Sequence, residues 1–269
     1  MISVIIPTLN EEKYLPALLE SLAVQTVKDF EVIVVDGSSK DKTIKAAKSY
    51  QDKLKLRIIS VPIPGVSLQR NTGAKDAQGE WLLFIDADTI LLPYALERLQ
   101  VFTLEYNPEF FTTWCRSDSE QASDALVTLF TNIIYEGFNM LKRPFSPGPL
   151  TGVKRELFKS VGGYDVDHKY NEDADFSLRV ARAGAKLLIL RETLYIWSLR
   201  RLRSQGTTKV INQYILSGLP ILLLKKPFSY MPGYAMGGQL YVTKKRKKRF
   251  ATFKKYEDQF RKFMKDYLE

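Results

Sequence analysis

Trp81-Leu82-Leu83-Phe84-Ile85-Asp86-Ala87-Asp88 runs five apolar residues straight into two carboxylates one residue apart. A short apolar run of this kind reads as a strand buried on both faces, which is the signature of a parallel sheet covered by helices. In such a sheet, ligands gather at the carboxyl ends of the strands. Two adjacent acids at that exit therefore present a compact set of hard oxygen donors, suited to Mg²⁺ or Mn²⁺ shared with substrate phosphates. A second reading stands beside it: Asp86 and Asp88 could simply cap the turn before the Pro93 helix.

The surrounding sequence supports the sheet. Upstream, Ser3–Ile6 and Glu31–Asp36 are apolar and β-branched, and Leu56–Val61 reads as another strand. Between them lie helical stretches: Glu11–Ala23, with Tyr14, Leu15, Leu18, Leu19 and Leu22 on one face, a segment ending near Tyr50, and Ser67–Ala77. Strands alternating with helices imply βαβ units with right-handed crossovers. Downstream, helices are expected at Pro93–Tyr106, Ala125–Leu141 and Asp173–Ala183, and strands at Phe110–Cys115 and Lys186–Trp197. Arg143–Gly152, rich in proline and glycine, reads as a loop.

Other strand ends carry polar residues too. Pro7-Thr8-Leu9-Asn10 follows the first strand, and Asp36-Gly37-Ser38-Ser39 ends the second. A carboxylate there can accept from a nucleobase N–H or from ribose hydroxyls, or it can cap a βα turn. Arg70, on the helix before the fourth strand, suits phosphate or stacking. Asn171-Glu172-Asp173-Ala174-Asp175 places three acids at a helix start, where the dipole favours them; one of them could also deprotonate an acceptor hydroxyl.

Length and composition agree with a globular chain of one or two domains. The chain has 269 residues, 45% hydrophobic and 26% charged, enough for a normal core. Cys115 is the lone cysteine and His168 the lone histidine. Internal disulfides, Cys-rich zinc sites and mechanisms with two histidines are excluded. The net charge of +10 is uneven: residues 200–269 carry +13 and the rest −3. That points to a polyanion or an anionic membrane near the tail, where Lys244–Arg249 precede a Phe/Tyr stripe at helical spacing.

Taken together, Pro7-Thr8-Leu9-Asn10-Glu11, Asp36-Gly37-Ser38-Ser39-Lys40-Asp41, Arg70-Asn71-Thr72-Gly73, Asp86-Ala87-Asp88, Gly162-Gly163-Tyr164 and Asn171-Glu172-Asp173 resemble glycosyltransferase family 2, over roughly residues 1–205. The resemblance implies an α/β fold of GT-A type: a Rossmann-like sandwich with a mainly parallel central sheet flanked by helices. It further implies a nucleotide-sugar donor (UDP or GDP foremost), a divalent metal (Mn²⁺ or Mg²⁺) and inversion at the anomeric carbon.

By the same resemblance Thr8, Asn10 and Asp36 hold the nucleoside with Arg70 nearby, and Pro7, Glu11, Ser38 and Ala87 belong to the binding stretches. Asp86 faces ribose or sugar and joins Asp88 as metal ligand, while Asp173 is the base with Glu172 beside it. Arg200, Arg201 and Arg203 could pair with the leaving diphosphate or continue the basic face of the tail. Trp197 stands where a metal-binding histidine is expected, which leaves a third protein ligand open.

Two domains are expected, a catalytic one at 1–205 and an apolar, basic extension at 206–269 facing acceptor or membrane. The acceptor would be a glycan or a lipid-linked molecule. A sugar nucleotidyltransferase is disfavoured because no glycine precedes Gly37. A nucleic-acid binder is disfavoured because the basic tail comes without a recognition motif. The start, Met1-Ile2-Ser3-Val4-Ile5-Ile6-Pro7, lacks a basic run and no stretch reaches the ~18 apolar residues of a spanning helix. A cytoplasmic place is expected, peripheral to the membrane's cytoplasmic face.

Overall fold

The structure, a computed structural model, describes residues 1–229. The expected basic helix with its Phe/Tyr stripe and the Lys244–Arg249 run lie outside the described residues.

Strand β1 (Ile2–Thr8) pairs in parallel with β2 (Phe30–Asp36) along its whole length and with β4 (Trp81–Ile85) on its other side. β2 pairs in parallel with β3 (Leu56–Ser60). The crossovers are α1 (Leu15–Ala23), α2 (Thr43–Lys48) and α3 (Val66–Asp76). Every residue of β1, β2 and β4 is buried. Alternation explains how one sheet serves two cores. Val4, Ile6, Val32, Val34, Leu83 and Ile85 face α1 and α4 (Ala95–Tyr106). Ile5, Ile33, Val35, Leu82 and Phe84 face α3, α6 (Arg155–Ser160) and α7 (Glu172–Arg182). Gly73 lets α3 lie flat on the sheet, since a Cβ there would stand 2.5 Å from Ile5 Cγ2.

The sheet continues through β5 (Ile90–Leu91), β6 (Phe110–Ser117), β7 (Leu150–Lys154) and β8 (Leu187–Trp197), giving the order β3-β2-β1-β4-β7-β6-β8-β5. β7 runs antiparallel to both β4 and β6. The expected loop at Arg143–Gly152 therefore ends in a strand at Leu150. Its prolines and glycines mask the strand, and it forms because two neighbours offer their unpaired edges. The expected helix at Glu11 begins instead at Leu15, after a turn closed by the amides of Tyr14 and Leu15 on the Glu11 carbonyl. That turn frees the Glu11 side chain to point at the strand ends. The second helix stops at Lys48, two residues short of Tyr50.

Helix α5 (Ala122–Met140) covers β6, where Asn132 bonds the backbone of Cys115 through both its amide atoms. After β8 come α8 (Arg200–Gln205) and α9 (Thr207–Leu224). Ile221 of α9 packs on Ala174 and Leu178 of α7.

Candidate active site

Because β1, β2 and β4 are parallel, their carboxyl ends open on one edge, and Thr8 stands level with Asp36 in the register. Asp36 is fully buried. It accepts the Ser39 amide at 2.9 Å, the Ser39 hydroxyl at 2.5 Å and the Thr8 hydroxyl at 3.3 Å. Its carboxylate thus ties the two strand-end turns together. Asn10 completes the knot by taking the Lys40 amide, while its own amide donates to the Ser39 hydroxyl. Asn10 and Ser38 both adopt left-handed backbone, at φ 55° and 64°, and the Ser38 hydroxyl turns away to the Val61 carbonyl. Pro7 is buried within β1 opposite Val35, and Ala87 is buried in the core. Gln69, which sequence reasoning missed, donates to the carbonyls of Thr8 and Val35, both at 2.7 Å. Nothing in its sequence context marks it.

A second group forms around Arg70, which is 1% exposed. Its guanidinium forks to Asp86 at 3.0 Å and Glu172 at 3.1 Å and lies over the Tyr164 ring. Burial works against its charge, but Tyr164, Asp86 and Glu172 together raise its pKa. Residues 102 positions apart meet here because α7 crosses the strand edge. Asp173 accepts the Gly148 amide through Oδ2 at 3.2 Å and its neighbour Ala174's amide through Oδ1 at 2.9 Å. Burial, with Glu172 adding to it and Arg70 opposing, pushes the Asp173 carboxyl up to about 7. A carboxylate poised there is matched to taking a proton near neutral pH. Gly148 was also missed. A Cβ on it would stand 3.0 Å from Arg70, 3.2 Å from Asp86 and 3.7 Å from Asp173. Its place inside a Pro/Gly-rich stretch was a signal, though one that also fits an ordinary loop.

The third group centres on Arg200, at the start of α8. It binds Glu11 through two 2.7 Å hydrogen bonds, Asp88 at 2.6 Å, and stacks on Tyr14 with 4.2 Å to the ring centre. Burial raises the Glu11 pKa and brings Asp88 to about 7; Asp86 adds to both, and Arg200 works against both. Arg201 lies near Tyr170 and Tyr214, whose pKa values burial raises and Arg201 opposes. The basic cluster at 200–203 is thus divided: Arg200 reaches the strand-end acids, while Arg203 pairs with Asp118 and Asp124.

The donor chemistry of this edge fits a hard divalent cation. Glu11, Asp86 and Asp88 supply carboxylate oxygens; burial raises Asp88, with Asp86 and Glu11 adding to it and Arg200 as the opposing charge. Another acidic group lies near the start of α7, where ligand atoms of Asp165, His168 and Asp175 come within 4.8 Å of one another. There Asp175 is already paired to Arg179 at 2.7 Å and Asp165 to His168.

The sequence profile described as "Glycosyl transferase family 2" matches residues 3–162. The chain belongs to glycosyl transferase family 2. A relative from Haemophilus influenzae, described as an uncharacterized glycosyltransferase, is 32% identical over 197 residues, 67% of this chain and 62% of that protein. The chain thus spans less than two thirds of that relative's length. A PGL/p-HBAD biosynthesis glycosyltransferase of Mycobacterium tuberculosis is 33% identical over 186 residues, covering 66% and 69% of the two chains.

Solved structures show that the family fold here is GT-A. Staphylococcus aureus TarS 1–349 in complex with UDP matches with a TM-score of 0.61 at 24% identity, over 74% of this chain and 60% of that one. The mannosyltransferase PcManGT of Pyrobaculum calidifontis, solved with GDP-Man and Mn²⁺, matches with a TM-score of 0.63 at 22% identity, over 80% and 64%. The family profile ends before α7, so Glu172 and Asp173 lie beyond the matched residues.

Proposed function

We propose that this family 2 glycosyltransferase moves a sugar from a nucleoside diphosphate sugar to an acceptor hydroxyl by one inverting displacement. The observation that carries the reading is Asp173: a carboxyl at about 7, held by the Gly148 amide, beside an Arg70–Asp86 pair and at the same sheet edge as Asp88.

Asp173 removes the acceptor's proton as its oxygen attacks the anomeric carbon. Arg70 aims Asp86 through their ion pair, and through Glu172 it holds the first turn of α7 in place. The Thr8–Asp36–Ser39 knot shapes the nucleoside end, with contact to the base passing through the turns it orders because Asp36 itself is buried. Arg200 can turn from Glu11 and Asp88 to the departing diphosphate. Mn²⁺ or Mg²⁺, when held by Asp88 and Asp86 with Glu11 close by, would neutralise diphosphate charge, usually the largest part of transition-state stabilisation.

The donor reading draws support from relatives solved with UDP, UDP-GlcNAc and GDP-Man, the last with Mn²⁺. UDP and GDP lead the candidates, and a glycan or a lipid-linked molecule is the acceptor class. Thermal shifts with UDP, GDP, dTDP and CDP, each with and without Mn²⁺, test the donor site. A ligand at a hundred times its Kd stabilises by about 2.7 kcal/mol, or roughly 5–10 °C for a chain of this size. One nucleotide giving a metal-dependent shift supports the reading, and silence from all four in both conditions counts against it.

A further inference from the structure

Helices α5 and α9 share packing near their starts and again near their ends. Near their starts, Val127 packs into the cluster of Leu199, Leu202 and Val210. Near their ends, Phe138 packs into that of Ala174, Leu178 and Ile221, and its ring lies 3.5 Å from where a Cβ on Gly218 would stand. The Arg143 side chain then closes the pair by donating to the Leu222 carbonyl.

Each helix spends one apolar stripe on this contact and carries a second stripe outward. Phe130, Ile133 and Ile134 on α5, with Ile215, Leu219 and Leu223 on α9, are each between 46% and 75% exposed. Most of the exposed large apolar side chains among the described residues lie on these two helices and their caps. Large apolar side chains gathered on two neighbouring helices mark a docking surface rather than ordinary scatter.

Charge selects the occupant. Exposed Lys142, Lys225 and Lys226 cluster where both helices end, and Lys209 stands at the start of α9. The acids of α5 are taken up internally, Asp124 with Arg203 and Glu136 with Arg191. No acidic residue occurs from Thr193 to Tyr256. An apolar face rimmed by cations repels a second copy of itself and complements anionic headgroups over acyl chains. Among the described residues no helix is long and apolar enough to cross a membrane, so the contact is one of lying on the surface.

We propose that the paired outer faces of α5 and α9 dock this protein on an anionic lipid bilayer. Docking does not depend on the sugar-transfer reading. Where that reading holds, docking brings a lipid-borne acceptor to the base, because Ala174, next to Asp173, rests on Ile221.

The test is co-sedimentation of the full chain with vesicles of phosphatidylcholine alone and of phosphatidylcholine with 30% phosphatidylglycerol. The wild type is expected to pellet with the anionic vesicles. The double variant Ile133→Asp/Ile215→Asp is expected to partition at least roughly tenfold more weakly, with an unchanged circular dichroism melt because both side chains already face solvent. Lys225→Glu/Lys226→Glu is expected to lower binding to anionic vesicles alone.

A wild type that pellets with neither vesicle overturns the proposal. So does a double variant that binds as the wild type does, since the contact would then belong to the basic tail. A wild type that sediments as a dimer without lipid, and a double variant that is monomeric, would assign the face to a second copy and also overturn it.

Discussion

Replacing Arg200 by alanine removes the cation that Glu11 and Asp88 share. The side chain is 11% exposed, makes two 2.7 Å bonds to Glu11 and one of 2.6 Å to Asp88, and stacks on Tyr14. Removing one partner of a buried pair costs about 3–5 kcal/mol, because the other charge is left without a counterion. At about 2–4 °C per kcal/mol for a chain near this size, the melting temperature should fall by roughly 6–20 °C in chelator-treated buffer. The same substitution leaves Glu11 and Asp88 without their cation, beside an Asp86 that keeps Arg70. Added Mn²⁺ should then restore more stability to the variant than it adds to the wild type, where Arg200 competes for Asp88. The assay is scanning fluorimetry of both proteins across a Mn²⁺ titration, with Arg200→Lys as a control expected to fall between them. Two curves within about 2 °C without metal, and identical Mn²⁺ responses, would refute the reasoning: Arg200 would then be a surface cation of little consequence.

Transfer activity should rise with pH through about 7, because Asp173 must be ionised to take a proton; a rate flat from pH 5.5 to 8.5 removes it as the base. Asp173→Asn should lower turnover a hundredfold or more. The folded protein holds the Asp173 proton that the unfolded chain releases near pH 4, so ionisation burdens the fold increasingly up to about pH 7. The melting temperature of Asp173→Asn relative to wild type should therefore climb between pH 4 and pH 7 and level off above. Gly148→Ala puts a methyl 3.0 Å from Arg70 and 3.2 Å from Asp86; kcat/KM should fall by roughly 10- to 100-fold as the pair is displaced, and full activity would show the loop giving way. Gly73→Ala drives a methyl to 2.5 Å from Ile5 and 3.1 Å from Val35. It should cost about 1–3 kcal/mol in chemical denaturation, and an unchanged midpoint would mean α3 is not tight on the sheet.

Local pattern carried the first half of the molecule. Continuous apolar runs at Glu31–Asp36 and Trp81–Ile85 can be buried on both faces only in a covered parallel sheet. Once that sheet exists, Thr8, Asp36 and Asp86 must share an edge, because parallel strands end together. The family motifs were legible for the same reason, being short stretches bound to strand ends. What local pattern could not carry is everything that depends on partners far along the chain. β7 is a strand only because β4 and β6 stand on either side of it, and its prolines and glycines argued for a loop. Arg70 meets Glu172 across 102 residues, and Arg200 meets Glu11 across 189. No spacing rule links such positions, and the same three arginines that looked alike at 200–203 end at different acids. Asp173 and Asp88 are ordinary aspartates in sequence. Burial and neighbouring carboxylates, which exist only once the chain is folded, bring both to about 7.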